Sequence, residues 1–350
     1  MANIEIISVN CQGLHDKNKR FDVLSYLKNM NYDIYCLQDT HFTEKLENEI
    51  QNFWGSNCLF SSYNSNSRGV AILFNKNLDY KILKHKIDSN GNILTVQLQI
   101  DSYIITLINI YGPNNDMPQF YNEVEQLMED FDSEEYIVCG DFNLILDPDL
   151  DCFNYARVNN PKARDRVIEL QSNKNMLDSY RELHPHTKRY TWRKKSPLKQ
   201  SRLDYIFISE TLLPCLMKAS ILPSYRSDHS ATHISLKLNQ FTKGRGLWKF
   251  NNSLLKDTQY LELVNSTIEN TLKEYTVPVY NHENIMNIDK QNIVLTINDQ
   301  LFLETLLMNI RGNSISYSSH KKKETDKLEK KLIDEIQDIE YFLDENKIEI

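Results

Sequence analysis

The chain has 350 residues, of which 41% are hydrophobic and 25% are charged, and its formal net charge is −8. This composition is that of an ordinary globular protein, and the length allows one large α/β domain with an appendage. The acidic balance argues against nonspecific binding of polyanions, because phosphate affinity comes mainly from clustered Lys and Arg side chains.

The sequence also predicts neither a membrane protein nor a secreted one. No apolar stretch reaches the length of about 18 residues that a spanning helix needs, and no signal-peptide pattern opens the chain. The six cysteines are widely spaced and lack zinc-site spacing, so we expect buried thiols in a reducing compartment. We therefore expect a soluble intracellular protein, nuclear or cytoplasmic, that does not bind a membrane.

Apolar runs of strand length recur through the first part of the chain. Strands are predicted at residues 4–9, 34–37, 70–74, 93–98, 104–110, 136–139, 203–208 and 231–238. Helical spacing is found in three sets: Phe21, Leu24 and Leu27; Phe120, Val124, Leu127 and Met128; Val167, Leu170, Met176 and Leu177. This order predicts a mixed sheet or a pair of sheets flanked by helices.

The composition changes after Leu238. The stretch from Lys243 to Trp248 predicts a linker, assigned to residues 239–255, between a domain at 1–238 and a helical extension at 256–350. Near the end, apolar residues at helical spacing predict an amphipathic helix that needs a partner: Leu328, Leu332, Ile336, Ile339 and Leu343.

Polar residues stand at the ends of several predicted strands. Asn10, Asp39, Tyr111 and Asp141 each follow or close an apolar run. If these strands lie side by side, their ends meet at one edge, where loops of sheet proteins commonly form active sites. Taken singly, each residue has a structural interpretation, since Asn10 is typical of a turn and Asp39 of a helix cap.

This set of side chains favours hydrolysis of a phosphodiester. Asn10 and Asp39 are candidate ligands for Mg²⁺, with Mn²⁺ as a substitute, because a hard cation prefers oxygen. Asp141 would orient or deprotonate the attacking water, Asn143 would donate to the charged transition state, and Tyr111 would contact the phosphate or leaving group.

The late triplet Ser227-Asp228-His229 completes the candidate site. Asp228 is predicted to accept a hydrogen bond from His229, so that the other ring nitrogen can donate to a phosphate; it is also a candidate metal ligand. Asp204 is a candidate acid for the leaving group. The alternative is an Asp-His pair that closes a surface loop.

A basic cluster in the second half of the chain is a candidate DNA contact. Its residues are Lys188, Arg189, Thr191, Trp192 and Arg193, extended by Arg202. Cations interleaved with aromatics can lie against a nucleic-acid backbone or an exposed base. A solvated charged loop is an equal alternative on the cluster alone.

Taken together, the motifs resemble the endonuclease/exonuclease/phosphatase superfamily, which includes DNase I and exonuclease III-type apurinic-site endonucleases. The resemblance covers roughly residues 3–238 and rests on six segments in the family order: Ser8-Val9-Asn10, Leu37-Gln38-Asp39-Thr40, Asn109 to Asn114, Gly140-Asp141-Phe142-Asn143, Arg202 to Ile206 and Ser227-Asp228-His229. It implies a four-layer sandwich of two mixed β-sheets with helices outside. One departure is Asp39, where the family usually has Glu.

The residues after the predicted domain resemble one group within this superfamily. Gly244 to Leu255, followed by Ile310-Arg311 and the Lys-rich segment from Lys321, resembles the region between endonuclease and reverse transcriptase in LINE-type retrotransposon polyproteins. The resemblance implies a Mg²⁺-dependent endonuclease that nicks double-stranded target DNA, with a reverse transcriptase domain as partner of the last helix. Two alternatives remain open: a repair nuclease acting at abasic sites, and a catalytically impaired remnant that binds nucleic acid.

Overall fold

The computed structural model describes residues 3–131, 133, 135–223, 225–238, 250–277, 279–280, 286–287 and 293–346. The strands are, in chain order, β1 (Ile4–Asn10), β2 (Ile34–Gln38), β3 (Cys58–Ser61), β4 (Val70–Phe74), β5 (Lys81–Ile87), β6 (Ile93–Ile100), β7 (Tyr103–Tyr111), β8 (Glu135–Asp141), β9 (Cys152–Phe153), β10 (Met176–Asp178), β11 (Trp192–Lys195), β12 (Leu198–Ser201), β13 (Asp204–Ser209), β14 (Leu216–Leu222), β15 (Ala231–Leu236), β16 (Val279–Tyr280) and β17 (Met286–Asn287). The α-helices are α1 (Lys17–Met30), α2 (Glu44–Trp54), α3 (Pro118–Phe131), α4 (Pro161–Asn173), α5 (Ser179–Leu183), α6 (Thr258–Tyr275) and α7 (Asp299–Asn346).

Two six-stranded sheets contain most of these strands. The first has the order β14-β15-β1-β2-β4-β3, and the second has the order β10-β13-β8-β7-β6-β5. Within them, β1 pairs with β2 and β7 pairs with β8 in parallel, whereas the other neighbours are antiparallel. The expectation of two mixed sheets is confirmed.

Alternation along β1 shows how the layers form. Ile4 and Ile6 enter the core that both sheets share, whereas Ile7 and Val9 face the opposite way and join a cluster that includes residues of α1 and α2. A third cluster joins α3 and α4 to the outer face of the second sheet. Because side chains alternate across a strand, both faces of the central strands are buried and these strands are mostly apolar. The four-layer sandwich is thus confirmed.

The structure differs from the predicted elements at several strands. Met176 and Leu177 belong to β10 and not to the preceding helix, because α4 ends at Asn173 and Asn175 has a left-handed φ of 48°. The strands β3, β5, β11, β12 and β14 were not predicted from apolar runs. Most residues of β5 are exposed, so its sequence carries no buried-face pattern.

The contacts divide the chain into two compact units, Met1–Thr242 with Ile336–Ile350, and Lys243–Glu335. In the second unit α6 and α7 are joined by hydrogen bonds, among them Tyr260 Oη to Ser314 Oγ at 2.7 Å. The helix α7 contains the predicted amphipathic segment, and four of the five apolar residues in the predicted stripe are described and exposed: Leu328, Leu332, Ile336 and Ile339.

The predicted linker from Lys243 to Trp248 lies outside the described residues, so the assignment of residues 239–255 stays a prediction. In the part of the chain that the structure describes, no helix is both long and apolar enough to cross a membrane.

Candidate active site

The predicted strand ends meet at one edge of the sandwich. Asn10 lies beside Gln38 where β1 and β2 end in parallel, and Tyr111 lies beside Asp141 where β7 and β8 end in parallel. The antiparallel strand β13 begins at this same edge and places Asp204 opposite Asp141. Side chains from both sheets are therefore available to one site.

A hydrogen bond joins the two sheets at this edge. Asn10 Nδ2 donates to Asp141 Oδ2 at 2.8 Å, and both side chains are buried. Asp141 Oδ1 accepts the backbone N–H of Asn143 at 2.9 Å, while Asn143 Nδ2 donates to the carbonyl of Gly112 at 2.8 Å. Each of the three predicted side chains therefore has a fixed orientation.

The glycine before Asp141 is required by the close approach of two strands. Gly140 has a φ of 140°, and a Cβ atom there would lie 2.0 Å from the carbonyl oxygen of Ile110. No side chain fits at that distance, so β7 and β8 can approach closely only with glycine at this position.

A deeper carboxamide network connects the sheets below the site. Gln38 Nε2 donates to Ser8 Oγ at 2.9 Å and to Asn109 Oδ1 at 2.7 Å. Asn109 Nδ2 in turn donates to the carbonyls of Leu37 at 3.0 Å and Ala71 at 2.9 Å. Sequence reasoning did not assign Gln38 and Asn109 to the site, although polar residues inside apolar strands are a usable signal.

His229 is held by Asp204. The distance from His229 Nδ1 to Asp204 Oδ2 is 2.8 Å, and Nε2 lies 3.9 Å from Asp141 Oδ2. These three side chains form a buried group whose ligand atoms lie within 4.8 Å of one another. Because Asp204 is paired with the imidazole, its position does not match the predicted role of an acid for the leaving group.

The charges of this group follow from burial and proximity. Burial raises the pKa of Asp141 to about 7, and the carboxylate of Asp204 adds to the rise. Burial alone would lower the pKa of His229, but the carboxylates of Asp204 and Asp141 outweigh it and raise that pKa to about 10. His229 is therefore a cation at neutral pH, and Asp141 titrates where a general base is most effective.

The prediction that Asp228 accepts a hydrogen bond from His229 is wrong. Asp228 is exposed, and its Oδ2 accepts a hydrogen bond from Trp192 Nε1 at 3.0 Å. Adjacency in sequence does not bring the two side chains together, because successive residues point in different directions. Ser227 Oγ donates to the carbonyl of Asn10 at 2.7 Å, which ties the triplet to the end of β1.

The predicted DNA-binding cluster divides into structural and exposed residues. Thr191 is buried, and its hydroxyl accepts the backbone N–H groups of Leu203 at 3.0 Å and Asp204 at 3.2 Å. The Thr191 hydroxyl supports the start of β13. Because the side chain is buried, the prediction that Thr191 contacts DNA is wrong. Lys188 is exposed, and Trp192 and Arg193 are partly exposed.

Two arginines of the cluster are buried. The guanidinium of Arg202 bonds to Asp151 at 2.8 and 3.0 Å and to Asp178 at 2.7 Å. Arg202 is therefore not available to DNA, and the prediction that it contacts DNA is wrong. Burial alone would lower the pKa of Arg202, but these carboxylates raise it. Arg189 is also buried and pairs with Glu340 at 3.0 Å, both within the first unit.

The donor set at the edge suits a hard divalent cation. Asn10, Asp39, Asp141 and Asp228 all offer oxygen, which is the ligand that Mg²⁺ and Mn²⁺ prefer. Asp39 does not cap a helix, since α2 begins at Glu44 after Thr43. Its Oδ1 accepts the backbone N–H of Arg68 at 3.1 Å.

Tyr111 lies next to Asp39. Burial raises the pKa of Tyr111, and the carboxylates of Asp39 and Asp141 raise it further. The phenol therefore stays protonated and can donate a hydrogen bond, which is compatible with the predicted contact to a phosphate or leaving group.

Sequence comparisons match this chain to a family model and to several relatives. A family model described as the endonuclease/exonuclease/phosphatase family matches residues 7–229. The "Transposon TX1 uncharacterized 149 kDa protein" of Xenopus laevis is 29% identical over 274 residues, which are 75% of this chain. The chain spans only 20% of that protein's length. The exodeoxyribonuclease of Bacillus subtilis (strain 168) is 24% identical over 261 residues, covering 67% of this chain and 100% of the relative.

Solved structures share the fold at low sequence identity. The AP endonuclease LMAP from Leishmania major matches with a TM-score of 0.59 and 19% identity. The match covers 68% of this chain and 88% of the LMAP chain. The APE2 catalytic domain of Xenopus laevis matches with a TM-score of 0.58 and 20% identity. The match covers 67% of this chain and 91% of the APE2 chain. These similarities support the DNase I-like sandwich.

Proposed function

Because this chain belongs to the endonuclease/exonuclease/phosphatase family, we propose that it is a Mg²⁺-dependent DNA endonuclease. The observation that carries the proposal is the buried group of Asp141, Asp204 and His229, joined to Asn10 across the two sheets. It combines a carboxylate poised near neutral pH with an imidazolium cation, a pair suited to phosphodiester hydrolysis.

Each side chain has a role that its contacts support. Asp141 orients the attacking water and accepts its proton. His229 donates from Nε2 to a phosphate oxygen, while Asp204 holds Nδ1 and keeps the ring charged. The second N–H of the Asn143 amide is available beyond its bond to Gly112, and Tyr111 donates from its phenol.

Asp39, with Asn10 and Asp228 as further candidates, would hold the cation, and Mn²⁺ would substitute for Mg²⁺. When bound, the ion supplies charge neutralisation at the phosphate and the leaving oxygen.

A plasmid-nicking assay tests this proposal. We expect conversion of supercoiled to open-circular DNA with Mg²⁺ or Mn²⁺ and none with EDTA. Asp141→Asn and His229→Asn should each lower the rate by about 10²-fold or more, as expected for loss of a general base or a charge-stabilising group. The exposed Asp101→Asn and His85→Ala serve as matched controls and should retain the wild-type rate. A protein that binds DNA but cuts it with neither ion would instead be the catalytically impaired remnant.

The biological role we propose is nicking of a duplex target for retrotransposition, in the nucleus. The similarity to the transposon protein and the predicted linker toward a reverse transcriptase support it. The second candidate is cleavage at abasic sites, which the fold shared with AP endonucleases favours. Parallel assays on intact and abasic duplexes separate the two, and a strong preference for the abasic duplex would overturn the retrotransposon role.

A further inference from the structure

The three residues after β2 have an unusual backbone. Asp39 has a φ of 49° and His41 a φ of 55°, so two non-glycine residues are left-handed within one short segment. Such conformations cost about 1 kcal/mol or more each and persist only where the surroundings enforce them. Here backbone hydrogen bonds do so: Thr40 N to Gly69 O at 3.0 Å and His41 N to Arg68 O at 2.8 Å.

This backbone places two side chains against each other. His41 Nε2 lies 3.1 Å from Asp39 Oδ1, the same oxygen that accepts the backbone N–H of Arg68 at 3.1 Å. Both donors therefore hold one carboxylate oxygen, and Oδ2 receives neither of them. Together with the hydrogen bond between Asp39 and the Tyr111 phenol, these two donors give the carboxylate a defined direction.

The imidazole ring of His41 is itself held in place. Gly13 lies directly against it, so that a Cβ atom at this position would be 2.6 Å from His41 Nδ1. The Gly13 N–H also donates to the carbonyl of Asp39 at 2.8 Å. The chain after β1 thus supports the chain after β2, and the His41 side chain is about one-fifth exposed, at 20%.

We propose that His41 is a positioning residue that orients Asp39 toward the divalent cation. The inference rests on the proposed function, in which Asp39 holds the ion. Aspartate is one methylene shorter than glutamate and reaches less far, so its orientation decides whether Oδ2 meets the ion. Hydrogen bonds to a ligating carboxylate commonly set metal affinity in this way.

Calorimetric titration of the full chain with Mg²⁺ tests the proposal without relying on activity. His41→Ala should weaken Mg²⁺ binding by about 10- to 100-fold. His41→Gln should restore most of the affinity, because its amide nitrogen can occupy the position of Nε2. His85→Ala, a change at an exposed histidine of β5, is the matched control and should bind as wild type does.

The variants also separate this proposal from the metal site itself. If Asp39→Ala binds Mg²⁺ as wild type does, the metal site fails and the role of His41 fails with it. If Asp39→Ala loses binding but His41→Ala does not, only the role of His41 is overturned. Equal weakness of His41→Gln and His41→Ala, with both folded by circular dichroism, would also overturn it.

Titration with Mn²⁺ distinguishes positioning from direct coordination. A positioning residue should change the affinities for Mg²⁺ and Mn²⁺ by the same factor, because the ligands of the ion are unchanged. An imidazole ligand favours transition metals, so its removal would weaken Mn²⁺ more than Mg²⁺. A selective loss of Mn²⁺ binding in His41→Ala would therefore overturn the proposal.

Discussion

At the residue scale, His229 links the charge of the site to the stability of the fold. Its pKa is raised from the ordinary 6.5 to about 10 by the carboxylates around it. A folded-state pKa above the unfolded one contributes stability that is fully present below about pH 6.5 and is lost as the pH rises toward about 10. The raised pKa of Asp141 also makes the fold less stable as the pH rises, here between about 3.8 and 7. The reason is the same: the folded chain binds this proton more strongly than the unfolded chain does.

We therefore expect the advantage of the wild type over His229→Asn to shrink as the pH rises. Urea unfolding in EDTA at several pH values between 6 and 10 measures the difference in the free energy of unfolding. Each unit of pKa shift corresponds to about 1.4 kcal/mol, so the change should be several kcal/mol. A difference that stays constant or grows with pH would contradict the ion pair with Asp204.

Residue-level prediction from the sequence succeeded where backbone position decides the outcome. Asn10, Tyr111 and Asp141 end apolar strands, and strand ends converge at a sheet edge. The partner of His229 could not be found in this way. Asp204 reaches it through the antiparallel register of β13 and β8, whereas Asp228 is adjacent only along the chain.

At the element scale, the residues just before β11 and β13 support the fold beside the site and contribute less to the surface than the charge of this region suggests. Arg202 is 1% exposed and Thr191 is 0% exposed. A basic cluster in sequence does not reveal this, because burial of an arginine depends on distant carboxylates such as Asp151 and Asp178. The strands β11 and β12 lack apolar runs because they are short and mostly polar, and half of β11 is exposed.

We expect Arg202→Ala to destabilise the fold strongly, because it would remove the buried cation that Asp151 and Asp178 share and leave Asp151 with Arg181 alone. Removal of one partner of a buried pair typically costs about 3–5 kcal/mol. The midpoint and slope of urea unfolding measure the loss, and the exposed Lys194→Ala should change stability by less than about 0.5 kcal/mol. If Arg202→Ala were as stable as wild type but bound DNA more weakly, the original DNA-contact prediction would stand.

The overall architecture was predictable because both faces of the central strands are buried, which leaves apolar runs that the sequence displays. The exposed edge strand β5 and the short strands beside the site lack that signal. Their positions depend on pairing with distant residues, and a single sequence does not specify such pairing.

At the scale of the whole molecule, the net charge of −8 limits how DNA can be held. Of the predicted contacts, Lys188 is exposed and Trp192 and Arg193 are partly exposed. Affinity for a duplex falls with salt in proportion to the number of phosphates that cations neutralise. If few cations contact phosphates, the affinity of this chain for DNA should depend only weakly on salt concentration.

We expect Lys188→Ala to lower the slope of log K against log salt by about 1, without changing sequence preference. Fluorescence anisotropy with a duplex in EDTA, using Asp141→Asn to prevent cleavage, gives the slope. Lys218→Ala is the control, because this exposed lysine lies on β14 beside Glu5, at the other end of β1. The same loss of slope in both variants would show that the effect is general charge and not a local contact.

The carboxamide network of Gln38 and Asn109 restricts how such a domain can exchange parts with its relatives. Gln38 belongs to the first sheet and Asn109 to the second, and the Gln38 amide donates to the Asn109 oxygen. A recombinant that took β7 from a relative with an apolar residue at position 109 would remove one acceptor of the Gln38 amide and the Asn109 donor of two carbonyls of the first sheet. Gene shuffling across this boundary should therefore recover folded chimeras mainly when both carboxamides come from one parent.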